Sequence, residues 1–204
     1  AADSSTTDGA FPFPTSRVRS YRSLGVANSE WDLATVRLRG LRTLRAAQSE
    51  KSDGGPWFSP AEMTNIAWAF ATLKYEDATL FSALSSAART KLNDYTPHEL
   101  AIIAWAYAVL KCRDLHLLEA ISSAAISKIS EFGAQDLANT AWAFASLGIM
   151  DSPLFSAIAA AAIPKLSEFS LQGYANLAWA YAAMSVPADP LFKAMSTAAI
   201  RKLE

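Results

Sequence analysis

The chain has 204 residues, 51% of them hydrophobic, and a formal charge of −1. That balance is enough for a buried core and excludes bulk electrostatic attraction to nucleic acid or anionic membrane as the basis of binding. The single cysteine, Cys112, excludes an internal disulfide and suits a reducing compartment, where it is expected as a buried, inert thiol. No apolar run approaches the ~20 residues a membrane-spanning helix needs.

The chain begins Ala-Ala-Asp-Ser-Ser-Thr-Thr without a methionine, as either a processed mature end or a chain that starts further upstream would. Residues 1–30 read as a poorly ordered leader, with Phe11-Pro-Phe-Pro14 as an extended anchor. Residues 15–23 are rich in Ser and Arg and free of acid, as organelle transit peptides are. Residues 31–57 hold a capping helix and a linker. Trp31, Leu33, Val36, Leu38, Leu41 and Leu44 have roughly helical spacing, and Ser52-Asp-Gly-Gly-Pro56 breaks the chain. Trp31 precedes Trp68 by 37 residues, so this segment has the phase of a degenerate repeat capping the array.

From residue 58 a single pattern recurs. Asn65-Ile-Ala-Trp-Ala-Phe-Ala-Thr-Leu73 returns as 102–110, 139–147 and 176–184, and Trp68, Trp105, Trp142 and Trp179 are each 37 residues apart. A fixed period between ~20 and ~50 residues predicts an all-α solenoid of stacked helical hairpins. The repeats run 58–94, 95–131, 132–168 and 169–204, and carry ten Lys/Arg against thirteen Asp/Glu.

Each repeat reads as two helices. Ser59, Thr96, Gly133 and Ser170 stand at the N-cap of the first helix, followed by Pro60 and Pro97 in two repeats. Glu62, Glu99 and Asp136 occupy its positive first turn. The helix is apolar almost all round and is expected to be covered almost all round, with Ala on several sides and the four indoles filling the core. Asp77, Asp114, Asp151 and Asp189 mark the second helix, whose stripe is Leu80, Leu84, Ala88 and Leu92 in the first repeat. Ser82, Ser85, Ser86 and Arg89 are expected outside, and Pro164 is expected to kink the third of these helices. No polar cap follows the last repeat, so its apolar end calls for a protein partner or further chain.

The core Leu-Ala-Asn-Thr-Ala-Trp-Ala-Phe-Ala-Ser-Leu147 resembles the octotricopeptide and heptatricopeptide repeat families over residues 58–204. That resemblance implies single-stranded RNA binding in a mitochondrion or plastid, serving transcript processing, stability, translation or ribosome assembly. Larger members often carry a C-terminal RAP domain, and nothing here matches one.

Two columns are candidates for contact with RNA or a partner. The first is Asn65, Ile102, Asn139 and Asn176, three residues before each Trp, joined one turn earlier by His98, Gln135 and Gln172. These amides are expected either to hydrogen-bond base edges, one base per repeat, or to form a ladder tying first helices together. The second is Lys91, Lys128, Lys165 and Lys202, which either track phosphates or complement the C-terminal dipole of each second helix. His98 and His116 lie at unrelated repeat positions. No phosphate loop, nucleophile motif or metal-ligand spacing is present, so catalysis, cofactors and metals are not expected. Two functions follow: an organellar RNA-binding repeat protein, or a protein–protein scaffold subunit of a large organellar complex such as a ribosome, respiratory or photosynthetic assembly.

Overall fold

The computed structural model describes residues 58–203, with side chains through Arg201. The expected leader and the capping segment before residue 58 lie outside the described residues, as does the side chain of Lys202.

Among the described residues, eight α-helices alternate as first and second members of four hairpins. They are α1 (Pro60–Thr72), α2 (Ala78–Arg89), α3 (Pro97–Val109), α4 (Leu115–Ser127), α5 (Ala134–Ser146), α6 (Ser152–Ala162), α7 (Leu171–Ala183) and α8 (Asp189–Leu203). Each first helix lies against the next first helix and each second helix against the next second helix, which is the expected solenoid order.

Local chemistry sets each boundary. Ser59 and Thr96 accept from the amides of Glu62 and Glu99, while those carboxylates take the cap amides at 2.9 and 2.8 Å, closing two capping boxes. Gly133 has no side chain to offer, so only half of the box forms: its amide donates to Asp136 Oδ2 at 3.2 Å. Asp77, Asp114 and Asp151 cap α2, α4 and α6 by accepting from Leu80, Leu117 and Leu154 at 2.9–3.0 Å.

All four first helices end in the same way. Lys74, Lys111, Gly148 and Ser185 take positive φ, between 53° and 64°. In the first, the Lys74 amide donates to Ala71 O at 3.0 Å and the Tyr75 amide to Phe70 O at 2.9 Å. This is a Schellman closure, and the Tyr75 ring completes it by packing edge-on against Phe70 at 5.8 Å.

The first helices approach one another more closely than the second helices do. Alanine permits this: Ala67, Ala71, Ala101, Ala104, Ala138, Ala141 and Ala180 are all buried, and a methyl side chain leaves room for a neighbouring backbone. Second helices contribute the larger apolar groups, among them Leu80, Leu84, Leu117, Ile121, Leu154 and Ile158. Burying each of these is worth roughly 1.5–3 kcal/mol.

Aromatic residues tie consecutive hairpins. Tyr107 of α3 meets Phe81 of α2 edge-on at 4.9 Å and donates its hydroxyl to the Phe81 carbonyl at 2.6 Å. Tyr181 of α7 repeats this on Phe155 of α6. Between the second and third hairpins the same positions hold Leu118 and Phe144, which pack without a hydroxyl bond.

Three expectations are corrected. Ser85 does not face out; it is buried and donates to the Asp114 cap of the next repeat. Pro164 does not kink α6 but ends it, because the missing amide and the ring are accommodated by a 3-10 turn, Ile163–Glu168. Cys112 is half-buried rather than buried; burial, with Glu76 nearby, still pushes its thiol pKa up and keeps it protonated.

The hydroxyls of Thr64 and Thr140 are buried without a hydrogen-bond partner. Replacing Thr140 by Val should therefore raise stability by about 1 kcal/mol in urea unfolding, whereas Tyr107→Phe, which deletes a made bond, should lower it by about the same amount.

Candidate RNA-binding face

One strip of every first helix remains open. On α1 it carries Ala61, Asn65, Trp68 and Thr72, all exposed. On α3 it carries His98, Ile102, Trp105 and Val109; on α5, Gln135, Asn139, Trp142 and Ser146; on α7, Gln172, Asn176, Trp179 and Ala183. None of these sixteen positions is buried, and the spacing of four, three and four residues places each set on one helix face. The four strips lie in register because the period is unbroken.

The indoles were expected in the core and are not there. Trp68 is 42% and Trp179 48% exposed, while Trp105 and Trp142 are partly buried and pack against the core without entering it. Close alanine contacts between first helices leave no volume for a bicyclic ring, so each indole lies over the helix surface beside the seam. The outer two are covered by a described neighbour on one side only. A signal for this existed: if Asn65 faces out, the residue three positions on shares its face.

The amide column also departs from one of its two readings. Among the described residues, neither Asn65 nor Asn139 makes a side-chain hydrogen bond, so no ladder ties the first helices together. Asn176 accepts from Gln172 Nε2 at 2.8 Å, a bond within α7 that leaves the Asn176 amide nitrogen and the Gln172 oxygen available. His98 is used differently. Its Nδ1 lies 2.8 Å from Asp136 Oδ1, bridging the starts of α3 and α5.

Two members of the lysine column, Lys128 and Lys165, follow neither reading. Lys128 Nζ donates to the carbonyls of Asn93 and Tyr95 at 2.6 and 2.7 Å, and Lys165 Nζ does the same to Ser130 and Phe132. Each lysine thus reaches back one repeat and gathers two carbonyls at the entry to a first helix. Lys91 is half-buried.

Asp114 makes a further tie between repeats. Burial pushes its carboxyl pKa up, but hydrogen bonds from Ser85 and the Leu117 amide, with the charges of His116 and Arg89, outweigh that and hold it below the ordinary carboxylate value. Its stabilisation is therefore complete above its unfolded value and lost as pH falls through the lower folded one.

No group of three or more His, Cys, Asp or Glu side chains suited to a metal occurs among the described residues, and no helix there is long and apolar enough to cross a membrane. The four strips carry no Lys, Arg, Asp or Glu; each holds an indole, and three of the four hold an Asn or Gln.

Comparison with known proteins gives one family match. The model for RESC6, the RNA-editing substrate-binding complex 6 protein, matches residues 42–203. No curated protein matches the sequence. The family shown is an RNA-related helical one, coarser than the octotricopeptide or heptatricopeptide resemblance.

Because Lys165 bonds two carbonyls of the preceding repeat, Lys165→Met should cost about 1.5–3 kcal/mol in urea unfolding. Replacing Ser85 by Ala should destabilise the fold near neutral pH, and the deficit should shrink as pH is lowered past the Asp114 folded value, as read by melts across the acid range.

Proposed function

The chain belongs to the RNA-editing substrate-binding complex 6 protein family, and from that premise we propose that it is a non-catalytic component of an RNA-processing assembly, holding single-stranded RNA along its first-helix face. The observation that carries this reading is the pair of unbonded amides at Asn65 and Asn139. Asn65 and Asn139 stand on an open face with donors and acceptors unengaged among the described residues, in register with Asn176, Gln135 and Gln172. A carboxamide offers both a donor and an acceptor to a base edge, and helical repeats read unpaired RNA in this manner, one base per repeat. Ile102 offers neither, so the second repeat accepts any base. The finer assignment to octotricopeptide- or heptatricopeptide-like proteins, and to a mitochondrion or plastid, is part of the same proposal. It is supported by the repeated Ala-Asn-x-Ala-Trp-Ala core and by the Ser/Arg-rich, acid-free residues 15–23.

A scaffold role is the second reading, and one observation favours it. Ile126 of α4, Ile163 of the 3-10 turn that closes α6, and Ile200 of α8 recur at 37 residues; Ile163 is 37% and Ile200 56% exposed. Such a column suits contact with another polypeptide. It lies on the other layer of helices, so both readings can hold together.

Replacing Asn139 and Asn176 together by Ala should weaken binding of the full chain to a random-sequence RNA pool by about tenfold, with thermal unfolding unchanged. Equal affinity in the variant would remove the amides from the site.

A further inference from the structure

We propose that Trp68, Trp105, Trp142 and Trp179 form a ladder of indole platforms on which unpaired RNA bases stack, one per repeat. This rests on the reading of the first-helix face as the RNA surface, and goes beyond it by assigning the principal contact to the indoles rather than to the amides.

Most buried aromatics of the array have a hydrogen-bond or ring partner, and the four indoles have neither among the described residues. Tyr107, Tyr181 and Tyr174 each donate their hydroxyl to a backbone carbonyl, and Tyr95 points its own at Met63 Sδ. Phe70, Phe81, Phe155 and Phe169 have edge-on ring partners. Among the described residues, no indole N–H donates a hydrogen bond, and no indole ring meets another ring or a cation. An indole normally finds a partner for its N–H when it is buried. Here both the N–H and the open part of the ring remain available for a ligand.

One half-open position is constant while core positions beside it vary. Two residues after each Trp the buried position changes from Phe70 to Tyr107, Phe144 and Tyr181, and two residues before it the half-buried Ile66 gives way to the buried Ile103, Thr140 and Leu177. The half-open position between them is Trp four times. Covering the edge of a core requires only an apolar side chain, and Leu or Met would serve. A flat ring at every step is what base stacking requires, and stacking tolerates any base because each has a π-face.

Charge supports the same assignment. No Lys or Arg stands in the four strips, and Lys128 and Lys165 are already held by backbone carbonyls. A single strand on this face would therefore be bound through its bases. Affinity that depends on phosphate neutralisation falls steeply with salt, at roughly −0.7 per contact on a log–log plot, whereas a stacking ladder gives a shallow slope.

The test uses the full chain and a fluorescein-labelled random RNA of about twelve nucleotides, read by anisotropy, beside an abasic ribose-phosphate strand of equal length. Trp142→Ala and Trp179→Ala should each weaken binding on the order of tenfold. Trp142→Phe, which keeps a ring, should lose much less, and Trp142→Leu, which keeps the apolar cover without a flat ring, should bind like the Ala variant. The abasic strand should not bind, and the salt slope should stay shallow. Circular dichroism melts check folding. Should Trp142→Ala fail to fold, Trp179→Ala and Trp142→Leu decide the matter. Folded Trp variants that bind as well as the unaltered chain, while Asn139→Ala weakens binding, would overturn the ladder and leave the RNA-binding face standing. Absence of RNA binding by the unaltered chain would remove both.

Discussion

Close approach of the first helices is the constraint on which the rest depends. It requires side chains no larger than a methyl along the seam, which is why Ala67, Ala101, Ala138 and their neighbours are buried at successive steps. It also requires helices of equal length ended at equal points, and the four Schellman closures at Lys74, Lys111, Gly148 and Ser185 provide that. Three of those residues bear a side chain in a conformation that favours glycine, so the geometry of the end outweighs local preference there. Once the seam is this narrow, large side chains have two places to go. Phe and Tyr at one position insert between first and second helices; Trp at the other remains on the surface.

Polar groups divide by a similar rule. Those near repeat junctions are used to join repeats: Lys128 and Lys165 to backbone carbonyls, Ser85 to Asp114, His98 to Asp136. Those on the open strip, Asn65 and Asn139 above all, have no such engagement among the described residues. Lys128 and Lys165, which a reading of the sequence would offer to nucleic acid, are thus structural, and the proposed RNA contact falls to uncharged groups. A face with this chemistry discriminates by ring contact and hydrogen bonding rather than by attraction of charge, which agrees with a mildly acidic array in an RNA-related family.

Much of the fold is legible without coordinates, because it depends on chemistry within a few residues or on the period itself. The 37-residue register implies stacked hairpins. Ser59 followed by Glu62, and Asp77 before Leu80, specify helix starts by hydrogen bonds three residues long. Three of the misreadings share a cause, contact across a repeat junction. Ser85 looks solvent-facing until Asp114 of the next repeat is beside it. Lys165 looks like a dipole complement until the carbonyls of Ser130 and Phe132 come within its reach. The indoles look like core until the width of the alanine seam is known.

The amino-acid sequence by itself thus determined that the chain is a regular array of helical pairs, where each helix starts, and that Asn and Trp recur on one face, since all of these follow from spacing and from neighbours along the chain. Whether that shared face points inward or outward was decided by the tertiary structure. Helix periodicity relates residues to one another but not to the surroundings of the helix, and only the packing of one first helix on the next shows which side is closed.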